Sequence, residues 1–124
     1  MSSAREGRTP QLGERGAAAL TEVMTVLEDL PAVAGDSERL AVVSGSGRQY
    51  EVDLRAETCT CHDMLHRRPD RGCKHILRTL FSVGAKPIPA WADLDAVDSE
   101  LGRHTRGDVL VKTQHGKTEV FTRD

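Results

Sequence analysis

Four residues with the chemistry of metal ligands fall within a short stretch of this sequence: Cys59-Thr60-Cys61, eleven intervening residues, then Cys73-Lys74-His75. Zinc prefers thiolate and imidazole donors in a tetrahedron, and three cysteines with one histidine make an accepted structural set. The spacing has a geometric meaning. In an extended chain residues i and i+2 face the same side, so Cys59 and Cys61 can offer both sulfurs to one ion. On a helix the same spacing separates side chains by about 200°. Cys73 must therefore sit just before a helix and His75 in its first turn. Gly72 permits the bend that brings Cys73 in, and a helix N-terminus favours a thiolate. The expected cofactor is one structural Zn2+ on Cys59, Cys61, Cys73 and His75, clipping a strand end to a helix start beside the core. Four protein ligands leave no position for a reactive water.

The elements that must position these residues follow from periodicity. From Glu14 to Leu30 the apolar residues Leu20, Val23, Met24, Leu27 and Leu30 recur on one helical face, and Pro31 ends the run. This predicts an N-terminal helix over 14–31, after a flexible 1–13. The period then changes to two. Leu40–Val43 is a short apolar strand, Ser44-Gly45-Ser46-Gly47 a hairpin loop, and Arg48–Leu54 alternates, with Tyr50, Val52 and Leu54 on one side. The Cys-rich segment follows the second strand directly. A helix is expected over 74–83, with Gly84 as its stop. Pro87 and Pro89 force an extended connection. Residues 85–124 form a C-terminal extension, with a short acidic helix within 90–101 and a hairpin around Gly116. The expected class is α+β: a small zinc-stabilised β-hairpin plus helix, a ββα-like finger over 38–84, with an N-terminal helix and a C-terminal extension.

The hairpin, the CxC, the gap, the CxH and the apolar helix together resemble the SWIM-type zinc finger, in which one zinc holds a β-hairpin and a helix. Cys73-Lys74-His75-Ile76-Leu77 is similar to the second half of that motif. Ala19-Leu20-Thr21-Glu22, Met24-Thr25-Val26-Leu27 and Ile88-Pro89-Ala90-Trp91 resemble segments of the short stand-alone SWIM proteins of haloarchaea. His62 departs from the pattern, which commonly has proline after the second cysteine. SWIM fingers occur in nucleic-acid-binding and in protein-binding settings, so the resemblance implies a binding module and leaves the class of partner open.

The remaining features bound the function. The 124 residues are 38% hydrophobic and 3% aromatic, a composition that suits one small domain in need of a metal staple. A disulfide framework would leave one of three cysteines over, and residues 1–15 hold no apolar run. A reducing, cytoplasmic setting is expected, with no membrane span. No Gly-rich phosphate loop and no Ser/His/Asp set is present, so neither an enzyme nor a small-molecule substrate is expected. The net charge is −2, yet residues 39–84 carry eight Lys/Arg against five Asp/Glu. Arg67, Arg68, Arg71, Lys74 and Arg78 form the densest basic cluster, a candidate phosphate-binding surface. A nucleic-acid-binding or regulatory accessory protein is the leading expectation. A protein–protein adaptor is the alternative, and a thiol redox sensor a third. His62 and His66 are read as solvated or as capping a short loop helix, Asp93, Asp95, Asp98 and Glu100 as a solvated acidic face, and Trp91 as a plug over the finger.

Overall fold

In a computed structural model of the chain, which describes residues 13–31, 33–70 and 72–122, a hairpin and two helices frame the cysteine segment. Strands β2 (Arg39–Ser44) and β3 (Gln49–Asp53) pair antiparallel, with Leu40 opposite Val52 and Val42 opposite Tyr50. Gly47 makes the turn at φ 91°, and its N–H donates to the Ser44 carbonyl at 2.9 Å. Leu40, Val42 and Val52 are buried and Tyr50 packs against them, as the alternation requires.

Helix α1 spans Gly13–Thr21, not 14–31. Residues Met24–Leu27 form strand β1, which pairs antiparallel with β2 from Met24–Ser44 to Leu27–Ala41. The helical stripe expected over Leu20, Val23, Met24, Leu27 and Leu30 is thus interrupted. Met24 and Val26 face inward, while Val23 is exposed. Two forces favour the strand. Thr25 and Val26 are β-branched, and the free edge of β2 offers backbone partners that a longer helix would leave unmet. An apolar spacing of three and four cannot by itself exclude a strand that follows a helix.

The second correction concerns the cysteines. The chain does not run straight from β3 into the motif. It turns through Leu54–Glu57, with Glu57 at φ 58°, and returns as the two-residue strand β4 (Thr58–Cys59), which places Cys59 opposite Val52. The result is one antiparallel sheet in the order β1-β2-β3-β4. Helix α2 (His62–His66) follows, then α3 (Lys74–Ser82). Gly84 stops α3 at φ 81°. Its N–H reaches the Phe81 carbonyl at 3.3 Å and that of Ala85 the Leu80 carbonyl at 2.9 Å, the paired bonds of a left-handed helix stop.

Helix α3 lies between two apolar clusters. Ile76 joins Met24, Val26, Leu40, Val42 and Val52 on the sheet side. Leu77 and Phe81 join Ala19 and Leu20 of α1 and Ile88, Val97, Leu101 and Val109 of the C-terminal segment. That segment carries a single 3-10 turn (Leu94–Ala96) and a hairpin of β5 (Leu110–Lys112) and β6 (Thr118–Val120). Ile88 donates to the Leu110 carbonyl and accepts from the Lys112 N–H, both at 2.8 Å. The architecture is a mixed α+β domain.

Candidate metal centre

Three elements deliver the four donors. Strand β4 carries Cys59, Cys61 precedes α2 as its N-cap, Cys73 precedes α3 as its N-cap, and His75 is in the first turn of α3. Gly72, at φ 91°, makes the bend before Cys73. A Cβ there would meet the Ile76 side chain at 3.1 Å, so the chain can approach the helix this closely only without a side chain.

The four donor atoms lie within 4.8 Å of one another and all four residues are buried. The His75 Nδ1 is 3.8 Å from the Cys59 Sγ and 3.8 Å from the Cys73 Sγ. A tetrahedral ion with bonds of about 2.0–2.3 Å separates its donors by roughly 3.3–3.8 Å, so the set fits one ion with little adjustment. Among the described residues this is the one group of three or more His, Cys, Asp or Glu side chains that close together. The three sulfurs belong to the sheet-side core cluster. The expectation that the metal sits beside the core is therefore corrected: the thiols pack within it, because the return of β4 tucks Cys59 under Val52.

Neighbours hold the donors in place. Tyr50 stacks on the His75 ring at 4.3 Å between centroids and 28° between planes. Thr79 donates its hydroxyl to the His75 carbonyl at 2.8 Å. The thiols are electrostatically unequal. The Cys73 thiol is drawn down to about 4, first by the hydrogen bond from Cys59, then by that from His75, and by the nearby Ile76 amide at the start of α3. The Cys59 thiol, the donor to Cys73 and itself buried, is pushed up. Burial pushes Cys61 up, opposed by the Met64 amide at the start of α2. No conventional cap hydrogen bond closes onto either N-cap sulfur; the amides act there through their dipoles. Three buried sulfurs, two of them held as neutral thiols, are suited to a cation that displaces those protons and binds all three as thiolates.

A groove of about 530 Å³ runs past Cys61, Cys73 and His75. Two ion pairs line it, one from α1 and one from the residue that follows α1. Arg15 meets Asp63 at 2.7 Å, and Lys74 meets Glu22 at 2.7 Å. The Arg15 guanidinium holds the Asp63 carboxyl below the usual carboxylate range.

The five basic residues singled out by the sequence do not form one surface. Arg67 is exposed and lies 3.6 Å from Asp63. Arg68 is exposed, in a left-handed conformation at φ 47°. Lys74 is engaged with Glu22, and Arg71 lies outside the described residues. Arg78 is fully buried, which removes it from any phosphate-binding face. Its guanidinium donates to the carbonyls of Ala19 at 3.1 Å, Glu22 at 2.8 Å and Met24 at 2.6 Å, and it pairs with Asp98. Asp98 in turn accepts from the Met24 N–H at 3.3 Å. In the sequence Lys74 and Arg78, four apart, look like one polar face, which conceals this pair. A signal was present: Val97 and Leu101 flank Asp98 with apolar side chains, and both are buried. Asp98 thus leaves the solvated acidic face assigned to it. Trp91 is 48% exposed and does not plug the finger.

No helix among the described residues is long and apolar enough to cross a membrane. The chain matches none of the protein-family models, curated proteins or solved structures with which it was compared.

Proposed function

We propose that this chain is a non-catalytic binding module of the SWIM type, ordered by one structural zinc on Cys59, Cys61, Cys73 and His75. The observation that carries the reading is the convergence of four buried soft and borderline donors within 4.8 Å, a set that suits zinc and closes its coordination. The hairpin, the CxC and the CxH at the start of an apolar helix support the family assignment. Three free cysteines suit a reducing compartment such as the cytoplasm.

Within this reading the partner is a nucleic acid, contacted through Arg67 and Arg68 with Arg71 beside them in sequence. Arg is suited to phosphate by its planar fork of donors. With about two or three phosphate contacts, log K should fall with log salt at a slope of roughly −2 to −3 on duplex DNA. A protein-adaptor role is the second reading, favoured by Trp91 and Leu94, which are 48% and 40% exposed.

The test has two parts. Metal analysis should find one zinc per chain, lost in Cys59→Ser, Cys61→Ser, Cys73→Ser and His75→Ala. Fluorescence anisotropy on short DNA and RNA at two salt concentrations should then give a salt-dependent affinity that Arg67→Ala/Arg68→Ala weakens with zinc retained. Zinc content near zero would overturn the metal reading. Binding absent at low salt, with salt-insensitive capture of one protein, would replace the nucleic-acid reading by the adaptor.

A further inference from the structure

Helix α2 carries two side chains that the buried centre does not use. His62 and His66 are its first and last residues. Four apart on a helix, they leave the same face. Their ring centroids are 4.1 Å apart and the planes are inclined by 38°. Both residues are exposed, and neither ring has a hydrogen-bond or ion-pair partner among the described residues. The carboxylate next to them is committed elsewhere, since Asp63 is bound by Arg15 at 2.7 Å and approached by Arg67 at 3.6 Å. Among the described residues the two rings contact each other, tilted and close, and both residues are exposed to water.

We propose that His62 and His66 form a second, exposed site for a divalent transition-metal ion such as Zn2+ or Ni2+. Imidazole is the donor these ions share a preference for. Two nitrogens bound to one ion at about 2.0–2.1 Å lie roughly 3 Å apart when adjacent in its shell. Rings whose centroids are already 4.1 Å apart reach that nitrogen spacing by rotation about their side-chain bonds, with no hydrogen bond or ion pair to another described residue to break. Two protein donors leave the other positions to water, so this ion exchanges with solvent, unlike one closed in by four ligands. The site also has a location of interest. His62 lines the same groove that runs past Cys61, Cys73 and His75, so the second ion sits at the open side of the buried centre. The proposal does not depend on which metal, if any, the buried centre holds.

The experiment is a titration of the full zinc-loaded chain with Ni2+, followed by calorimetry and by metal analysis of the washed protein. Nuclear magnetic resonance is recorded in parallel, to locate paramagnetic broadening. One saturable Ni2+ equivalent is expected beyond the resident metal, with zinc retained and broadening centred on residues 62–66. Loss of even an outer-shell partner weakens metal sites by about 10–100-fold, so His62→Ala and His66→Ala should each weaken Ni2+ by roughly tenfold or more. His104→Ala/His115→Ala, which removes two histidines placed elsewhere, should leave it unchanged. The proposal is overturned if Ni2+ shows no saturable binding, if either single variant binds as tightly as the parent, or if Ni2+ enters only as zinc leaves. The zinc count in the same samples judges the buried centre separately.

Discussion

At the scale of single residues, the three sulfurs differ in how readily they give up a proton. Cys73 accepts hydrogen bonds from Cys59 and His75 and an amide dipole from α3, and so carries its charge down to about 4. That depressed value favours the folded arrangement most fully above the ordinary thiol value of 9.0, and the contribution is lost progressively as the pH falls from there to about 4. Cys59 and Cys61 are held up instead, so protons compete with a metal at these two sulfurs first. Zinc should accordingly be released on acidification, because the sulfurs must be deprotonated to bind it. A zinc-responsive dye, read against pH on the loaded protein, checks this. Full retention at pH 4 would show that Cys59 and Cys61 do not take up protons as this arrangement requires. The clustering of Cys59, Cys61, Cys73 and His75 was legible in the sequence because thiolate and imidazole chemistry is a property of residue type, and a separation of two fixes which side chains can share one side of a strand. The inequality among the thiols was not legible, since it arises from contact between Cys59 and Cys73, far apart in the chain.

At the scale of elements, Arg78 joins what the sequence leaves separate. One guanidinium serves the carbonyls at the end of α1 and the start of β1, and pairs with Asp98 from the C-terminal segment. Removing one partner of a buried pair costs about 3–5 kcal/mol, because the other charge stays buried without compensation. Arg78→Met should therefore lower the unfolding free energy by about that amount in a denaturant titration, with one zinc still bound in the native state. Its salt slope for nucleic acid should match that of the parent. A loss below about 1 kcal/mol, the scale of an exposed ion pair, would mean that the knot is not what joins α1 to α3. The same contacts explain why α1 is short. Its C-terminal carbonyls find their donors in Arg78 instead of in further helical turns, and Met24 is released to begin β1 against β2. Periodicity saw an apolar face there but could not see the free edge of the hairpin.

At the scale of the molecule, the 38–84 segment shares its core with the residues on either side of it. Leu77 and Phe81 of α3 are covered by Ile88, Val97, Leu101 and Val109, all from beyond the 38–84 segment. The edge of the sheet is covered by β1, which precedes it. A chain ending at residue 84 would expose one of the two apolar clusters and leave Arg78 without Asp98. Such a truncation is expected to lose its cooperative thermal transition even with saturating zinc, measured by circular dichroism against the full chain. A truncated protein that melts within a few degrees of the parent would restore the finger as an autonomous unit.

The sequence by itself determined the grouping of Cys59, Cys61, Cys73 and His75, the hairpin, the helix that starts at Lys74 and its stop at Gly84. Each of these rests on residue chemistry or on local backbone preference: sulfur and imidazole donors, alternation over Arg48–Leu54, a positive φ that glycine accepts. The tertiary structure alone decided three things. Strand β4 turns back so that Cys59 enters the core opposite Val52. Met24–Leu27 joins the sheet instead of prolonging a helix. Arg78 is taken from the surface into a buried pair with Asp98. In all three the deciding interaction lies between residues distant in the chain, where a free strand edge or an uncompensated buried charge outweighs the local pattern.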